Sequence, residues 1–411
     1  MFTYTSLARD QDFVAAILLA EQELEDLPLR TYPAVDVFSH GSDDAAQQQG
    51  NSPYTSTPDL REGHIRLLKL GADVTTGNIH CTTRIFPLHG RPSYTALSYA
   101  WGPLRASESR CKILLDGRER LLHKNLWDFL RRASQRRPGW LWIDALSIEQ
   151  RCAEERSHQV GIMSDIFSNA KRVVIWLGRA YNVSDEAMKA LSKPAYPQQN
   201  SGSKVAATKA INAIFNRPYW TRVWVFQEVK SAKTLTVMCG NALLSWTLLQ
   251  NHVYGLYLDS EGQKLSTTPA VRMVFLRTSV IGISLYHILK ATSHLHCTDP
   301  RDRVYALLSV ASQGHEEIRA DYTIQVADLV CSVLDGMSSI SPSQSWEEEI
   351  SRCLEILRIF RADSESLRKF ESELKEDMDD IVEHTGTQTI ANFRGRIQWF
   401  LVSKFHHGSF L

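Results

Sequence analysis

Four short apolar runs, "YTALSY" (94–99), "WLWI" (140–143), "RVVIWL" (172–177) and "TLTVMC" (234–239), set the frame for this chain. None alternates cleanly with polar residues, so they read as strands buried on both faces rather than as exposed antiparallel strands. Helical patterns lie between them. Val160, Met163, Phe167 and Ala170 fall at helix spacing, as do the residues of "RPYWTRVWVFQEV" (217–229). Strand alternating with helix predicts a parallel sheet covered on both faces. Eight of the ten tryptophans lie between Trp101 and Trp246, which marks the same region as one compact unit.

The flanks read differently. Residues 38–59, "FSHGSDDAAQQQGNSPYTSTPD", have the composition of a linker or disordered segment. An amphipathic helix is expected before it, around the apolar run Phe13 to Ala20. Strands are expected at 64–70 and 79–88, and a hairpin over 111–123 turning on Asp116-Gly117. Beyond residue 250 the pattern turns helical. "SLYHILKATSHLHCTDPRDRVYALLSVA" (284–311) reads as two helices, the second with Asp299 as N-cap and Pro300 at its first position. Trp346, Ile350, Leu354, Leu357 and Phe360 recur at helical spacing, then Leu367, Phe370, Leu374 and Met378. The expected organisation is an N-terminal helix and linker (1–59), an α/β domain (60–250) and a helical C-terminal region (251–411), with no solenoid repeat.

Charge and motifs exclude several functions. Lys plus Arg and Asp plus Glu each number 46, so the chain has no overall positive field with which to grip nucleic acid. The seven cysteines are scattered and form no Cys-x-x-Cys pair, which points to reduced thiols in a cytosolic or nuclear protein, with a cytoplasmic location expected. The N-terminus has no secretory pattern and no stretch is long enough for a membrane span. No phosphate loop, dinucleotide fingerprint or Gly-x-Ser-x-Gly elbow occurs. His294, His296 and Cys297 are three possible ligands without a second cluster, and a chance grouping near a helix end is the plainer reading. Glu154 and Glu155 open a helix, where carboxylates suit the dipole.

One residue stands out. Trp220, Trp224 and Glu228 are spaced four apart, so on a single helix they share one face, and most of the remaining surface is apolar. A carboxylate in such a helix costs several kcal/mol unless partnered. Three readings stay open: an ion pair with Arg217 or Arg222, a solvent-facing helix edge, or a cleft that raises the carboxyl pKa for use. The strand ends supply company. "YTALSY" runs into Ala100-Trp101-Gly102 and "WLWI" into Asp144, and open α/β sheets bind ligands beyond the carboxyl ends of their strands. Simple chain reversal uses the same residue types.

Four blocks, "YTALSYAWGP", "LWIDALSIEQ", "ERSHQVGIMSDIFSNAKRVVIWLG" and "RPYWTRVWVFQEV", together resemble the heterokaryon incompatibility (HET) domain of filamentous fungi in order and spacing. "TDPRDRVYALLSV" resembles a segment often found downstream of it. The resemblance implies a fungal nonself-recognition or programmed cell death protein. It also implies a TIR-like, flavodoxin-like parallel sheet flanked by helices, here with N-terminal β-hairpin additions. TIR domains that cleave NAD carry a glutamate on a helix with a tryptophan four residues earlier, and Trp224 and Glu228 match that pattern. The resemblance therefore implies Glu228 as a catalytic residue and Tyr99, Trp101, Gly102, Asp144, Arg222 and Trp224 as nucleotide-binding residues. NAD would be the substrate, with no cofactor and no metal. Self-association or a protein partner would be the trigger, and a non-catalytic interaction module is the alternative. The family's usual Leu-Cys-Ile-Asn-Gln reads Leu146-Ser147-Ile148-Glu149-Gln150 here. That removes a thiol nucleophile and adds a charge near the implied pocket.

Overall fold

The computed structural model describes residues 60, 63–72, 79–101, 111–136, 138–181, 183–193, 212–257, 268–278, 283–341, 346–360 and 372. The expected N-terminal helix, the linker to residue 59 and the helix around Leu367 to Met378 lie outside them. The chain divides into two compact units, Met1–Val280 and Ile281–Leu411.

The first unit is built on a nine-stranded mixed sheet in the order β5-β4-β2-β1-β6-β3-β7-β8-β9. Its strands are β1 (His64–Ala72), β2 (Ile79–Pro87), β3 (Tyr94–Tyr99), β4 (Cys111–Leu115), β5 (Arg118–Leu122), β6 (Trp140–Trp142), β7 (Arg172–Trp176), β8 (Leu235–Cys239) and β9 (Ala242–Ser245). The four apolar runs are β3, β6, β7 and β8, and they pair in parallel as a central block. The parallel sheet expected from the alternation is thus found as the centre of a larger, mixed sheet. β1 joins β6 antiparallel, and β9 closes the other side antiparallel to β8. The reason is local. β8 and β9 are joined by Gly240-Asn241, and so short a link reverses the chain and cannot cross over. In the same way Asp116 and Gly117 both take positive φ, 49° and 79°, and join β4 to β5 as a tight hairpin.

Helices cover both faces of the central block. On one face α1 (Lys124–Arg136) buries Leu126, Phe129, Leu130 and Ala133 against Leu97, Tyr99, Ile143 and Trp176. Three short helices follow β6: α2 (Asp144–Ser147), α3 (Ala153–Gly161) and α4 (Met163–Asn169). On the opposite face the Tyr94 hydroxyl donates to the Ile166 carbonyl of α4 at 2.5 Å, and Phe167 meets Trp142 edge-on at 5.4 Å. After β7 come α5 (Ser184–Leu191), a 3₁₀ turn at Pro218–Thr221 and α6 (Trp224–Ser231). After β9 come α7 (Trp246–Tyr257) and α8 (Pro269–Thr278).

The second unit contains, among the described residues, α9 (Leu285–Ala291), α10 (Asp302–Tyr305), α11 (Val326–Ile340) and α12 (Trp346–Ile359), joined by turns and loops. Ile350, Leu354 and Leu357 are buried along one face of α12, and Phe360 is buried just past its end. The helix expected to begin at Asp299 is corrected: only Asp302–Tyr305 is α-helical, and Asp299 instead accepts from the Arg301 backbone N–H and grips the Arg301 guanidinium at 2.8 Å. Gly336 of α11 lies on the backbone of Gly314, so a Cβ at 336 would stand 2.4 Å from the Gly314 carbonyl oxygen. Gly336→Ala should therefore destabilise this unit by about 1–3 kcal/mol through overpacking against backbone, which a denaturant titration would read as a lower midpoint.

Candidate functional site

The site begins with an interruption. The single helix expected over 217–229 is corrected: Arg222 is extended (φ −85°, ψ 135°) and separates the 3₁₀ turn from α6. Pro218 opens the turn, and a proline resists entering a helix except at its start. Trp220 is therefore not stacked above Trp224 on one helix face. It is fully buried, its indole N–H donating to the Ile214 carbonyl at 3.0 Å.

Glu228 sits in the middle of α6, buried at 3% exposure, and reaches β3. Its carboxylate accepts a hydrogen bond from Ser98, whose hydroxyl also pairs with the Tyr219 hydroxyl at 2.7 Å. The break at Arg222 is what turns Tyr219 and Glu228 toward the same strand residue. The Arg222 guanidinium donates to the Tyr99 carbonyl at the end of β3. Beside it, the Trp101 indole donates to Asp144 Oδ2 at 2.8 Å, and the Tyr99 hydroxyl bonds the same carboxylate. Asp144 opens α2 at the carboxyl end of β6, its Oδ1 accepting from the Ala145 N–H at 2.7 Å.

Five of the implied residues, Tyr99, Trp101, Asp144, Arg222 and Glu228, are thus gathered at the carboxyl ends of β3 and β6. Trp224 opens α6 half-buried, one turn before Glu228. Gly102 lies outside the described residues. Ser98 and Tyr219 went unremarked in the sequence, although a hydroxyl in the middle of a buried strand is a signal that it has a polar partner. Ser147 and Glu149 turn out to serve the chain itself. The Ser147 hydroxyl accepts from the Ile143 N–H at 3.1 Å, and Glu149 Oε1 accepts from the Arg151 N–H at 3.2 Å. Glu155 likewise does more than open a helix: it forms a buried ion pair with Arg66 at 3.0 Å. Among the described residues, no group of three or more His, Cys, Asp or Glu side chains could hold a metal ion.

Burial pushes the Glu228 carboxyl up to about 7, against the opposing pull of the Arg222 charge and the Ser98 hydrogen bond. Burial also raises the Asp144 carboxyl, again opposed by Arg222 and by the Trp101 hydrogen bond. The Tyr99 and Tyr219 hydroxyls stand well above their usual range, first through burial and then through the neighbouring carboxylates. Two carboxyls with raised affinity for protons share one guanidinium. No ion pair joins Arg217 to Glu228. Such a group can hold a polar ligand at the sheet edge and present one carboxylate whose charge changes near neutrality.

An α/β sheet with its polar cluster between Tyr94 and Glu228 coincides with a family boundary. Residues 94–228 match the family described as Heterokaryon incompatibility protein (HET), which bears out the resemblance of the four blocks. The chain is also similar to Heterokaryon incompatibility protein 6, OR allele, of Neurospora crassa. They are 28% identical over 369 aligned residues, covering 72% of this chain and 54% of that protein, so this chain spans about half the relative's length. No solved structure matches the chain.

Proposed function

We propose that this chain acts in fungal nonself recognition, as a heterokaryon incompatibility effector of programmed cell death, and that it cleaves NAD at a TIR-like site centred on Glu228. The observation that carries the chemistry is a buried, proton-holding glutamate at the carboxyl edge of the sheet's parallel block, hydrogen-bonded to Ser98 and within the field of Arg222. The order of the parallel strands supports the fold part of the reading. Taken in chain order, β6-β3-β7-β8 run 2-1-3-4, the flavodoxin-like sequence, and its switch point lies at the end of β3.

In this reading the bond between nicotinamide N1 and ribose C1′ breaks, and nicotinamide leaves with the bonding electrons. The ionised Glu228 carboxylate stabilises the cationic ribose, and water adds to C1′ and releases a proton. Asp144, Tyr99 and Trp101 bind and orient the nucleotide. Crowding several chains together is the trigger.

One observation favours the alternative, a module that signals by self-association without cutting a bond. Glu228 is sealed at 3% exposure, while exposed leucines mark both edges of the sheet, Leu121 on β5 at 41% and Leu243 on β9 at 48%. The 411-residue chain fused to an oligomeriser should consume NAD and release nicotinamide, read by chromatography. Absence of turnover under conditions where the fusion assembles leaves the interaction module as the reading.

A further inference from the structure

Arg217 is the buried cation that the Glu228 cluster does not use. It is 2% exposed, and its Nη1 donates to the carbonyls of Arg179 at 2.9 Å and Leu177 at 3.4 Å, just beyond the end of β7. Its other edge is different. Nε and Nη2 are both buried and have no hydrogen-bond partner. No carboxylate among the described residues pairs with it. Asp128 is engaged by Arg179 at 2.5 Å. Arg132, stacked on Trp176 at 5.4 Å, also has a buried Nε without a partner.

A role in tying down the strand end explains Nη1 alone. Two donors left dry on an uncompensated charge cost several kcal/mol. The Nε–Nη2 edge is also the fork that meets a phosphoryl group with two parallel hydrogen bonds. Its surroundings suit such a ligand. Gly178 follows β7 with φ +95°, and Gly240 follows β8 with φ +57°, so backbone turns sharply at both strand ends. The Gly240 N–H binds the Gly178 carbonyl at 2.9 Å and holds the two turns together. The Tyr181 ring lies over the guanidinium, with Arg217 Cζ 3.6 Å from its centroid, yet Tyr181 is itself 53% exposed. An exposed ring covering a buried cation can swing away with little loss of core packing.

We propose that the Nε–Nη2 edge of Arg217 binds a phosphoryl group at the carboxyl ends of β7 and β8, with Tyr181 as its cover. Trp176, the last residue of β7, pairs with Tyr99 of β3, so this site and the Glu228 cluster occupy neighbouring strand ends. The binding does not depend on Glu228 being catalytic.

Calorimetric titration of the 411-residue chain at constant ionic strength tests it, with inorganic pyrophosphate and ADP-ribose as separate probes. Saturable binding of one or both is expected, and Arg217→Lys, folded by circular dichroism, should weaken it by about tenfold or more because an ammonium cannot supply the fork. Much tighter binding of ADP-ribose would identify a nucleotide as the source of the phosphoryl group, and equal binding a free phosphoryl anion. Should Arg217→Lys fail to fold, Tyr181→Ala keeps the guanidinium and uncovers it, and its affinity should differ several-fold from that of the unsubstituted chain. Pyrophosphate carries no ribose for the Glu228 cluster to meet, so its binding is read independently, and a failure of NAD cleavage leaves this result standing. No saturable binding by the unsubstituted chain, unchanged binding by folded Arg217→Lys, or unchanged binding by Tyr181→Ala where Arg217→Lys does not fold, would overturn it.

Discussion

Glu228→Gln should abolish NAD turnover while making the protein more stable at pH 8. The two effects have one cause. A carboxyl raised to about 7 in the fold, from an ordinary 4.5, binds its proton more tightly folded than unfolded. Its contribution to stability is complete below about 4.5 and is lost as the pH rises through about 7. The shift corresponds to roughly 3 kcal/mol, from about 1.4 kcal/mol per pK unit. Glutamine keeps the shape and can still accept from Ser98, but carries no charge to desolvate. Its melting temperature should therefore exceed that of the unsubstituted protein at pH 8, and the gap should close towards pH 5. On the proposed mechanism turnover requires the ionised form, so the rate should climb with pH through about 7 and be lost in the glutamine form by about a hundredfold or more. A glutamine variant that melts lower at pH 8 would mean that Glu228 stabilises the fold through Arg222, and the cleft reading would fall.

Much of the sheet was legible because its signals are local. β3, β6, β7 and β8 are short, mainly apolar runs without clean polar alternation, and each appears within a residue of its expected limits. The Asp116-Gly117 turn was equally readable, since few residue pairs adopt two successive positive φ angles. The mixed pairing was not, because strand direction follows from tertiary neighbours. Nothing in "HIRLLKL" says that β1 will join β6 antiparallel. The site shows the same division. Strand-end residues such as Tyr99 and Asp144 could be picked from position alone. Ser98 and Tyr219 could not, because their importance lies in contacts across 130 and 121 residues of sequence separation respectively. The helix over 217–229 failed for a further reason: periodicity treated Pro218 and Arg222 as helical, and the chain used them to begin a tight turn and to leave it.

The largest stability effect should come from Arg66, which lies outside the matched family segment. Its Nη1 reaches from β1 to the Ser147 carbonyl at 2.8 Å and to Glu155 Oε1 at 3.0 Å. That same Glu155 oxygen accepts from the Glu149 N–H at 2.7 Å. One guanidinium therefore fastens the end of α2 and the loop into α3 onto β1, and both partners are buried at 2% and 7% side-chain exposure. Taking away one member of such a pair strands the other charge in the interior, so Arg66→Ala should cost about 3–5 kcal/mol in a denaturant titration. Arg66→Met with Glu155→Met removes both charges, and the double variant should be more stable than either single one, by the logic of a double-mutant cycle. The loop held this way begins where Asp144 meets Trp101. Loss of Arg66 should thus loosen the Asp144 end of the site as well as the fold, and the charge-free double variant should restore stability before it restores function. If the double variant is no better than Arg66→Ala alone, then Arg66 acts through the Ser147 carbonyl rather than through Glu155. The hairpin strand β1 would still be an integral part of the α/β unit, since its side chain sets the loop that carries the second sequence block.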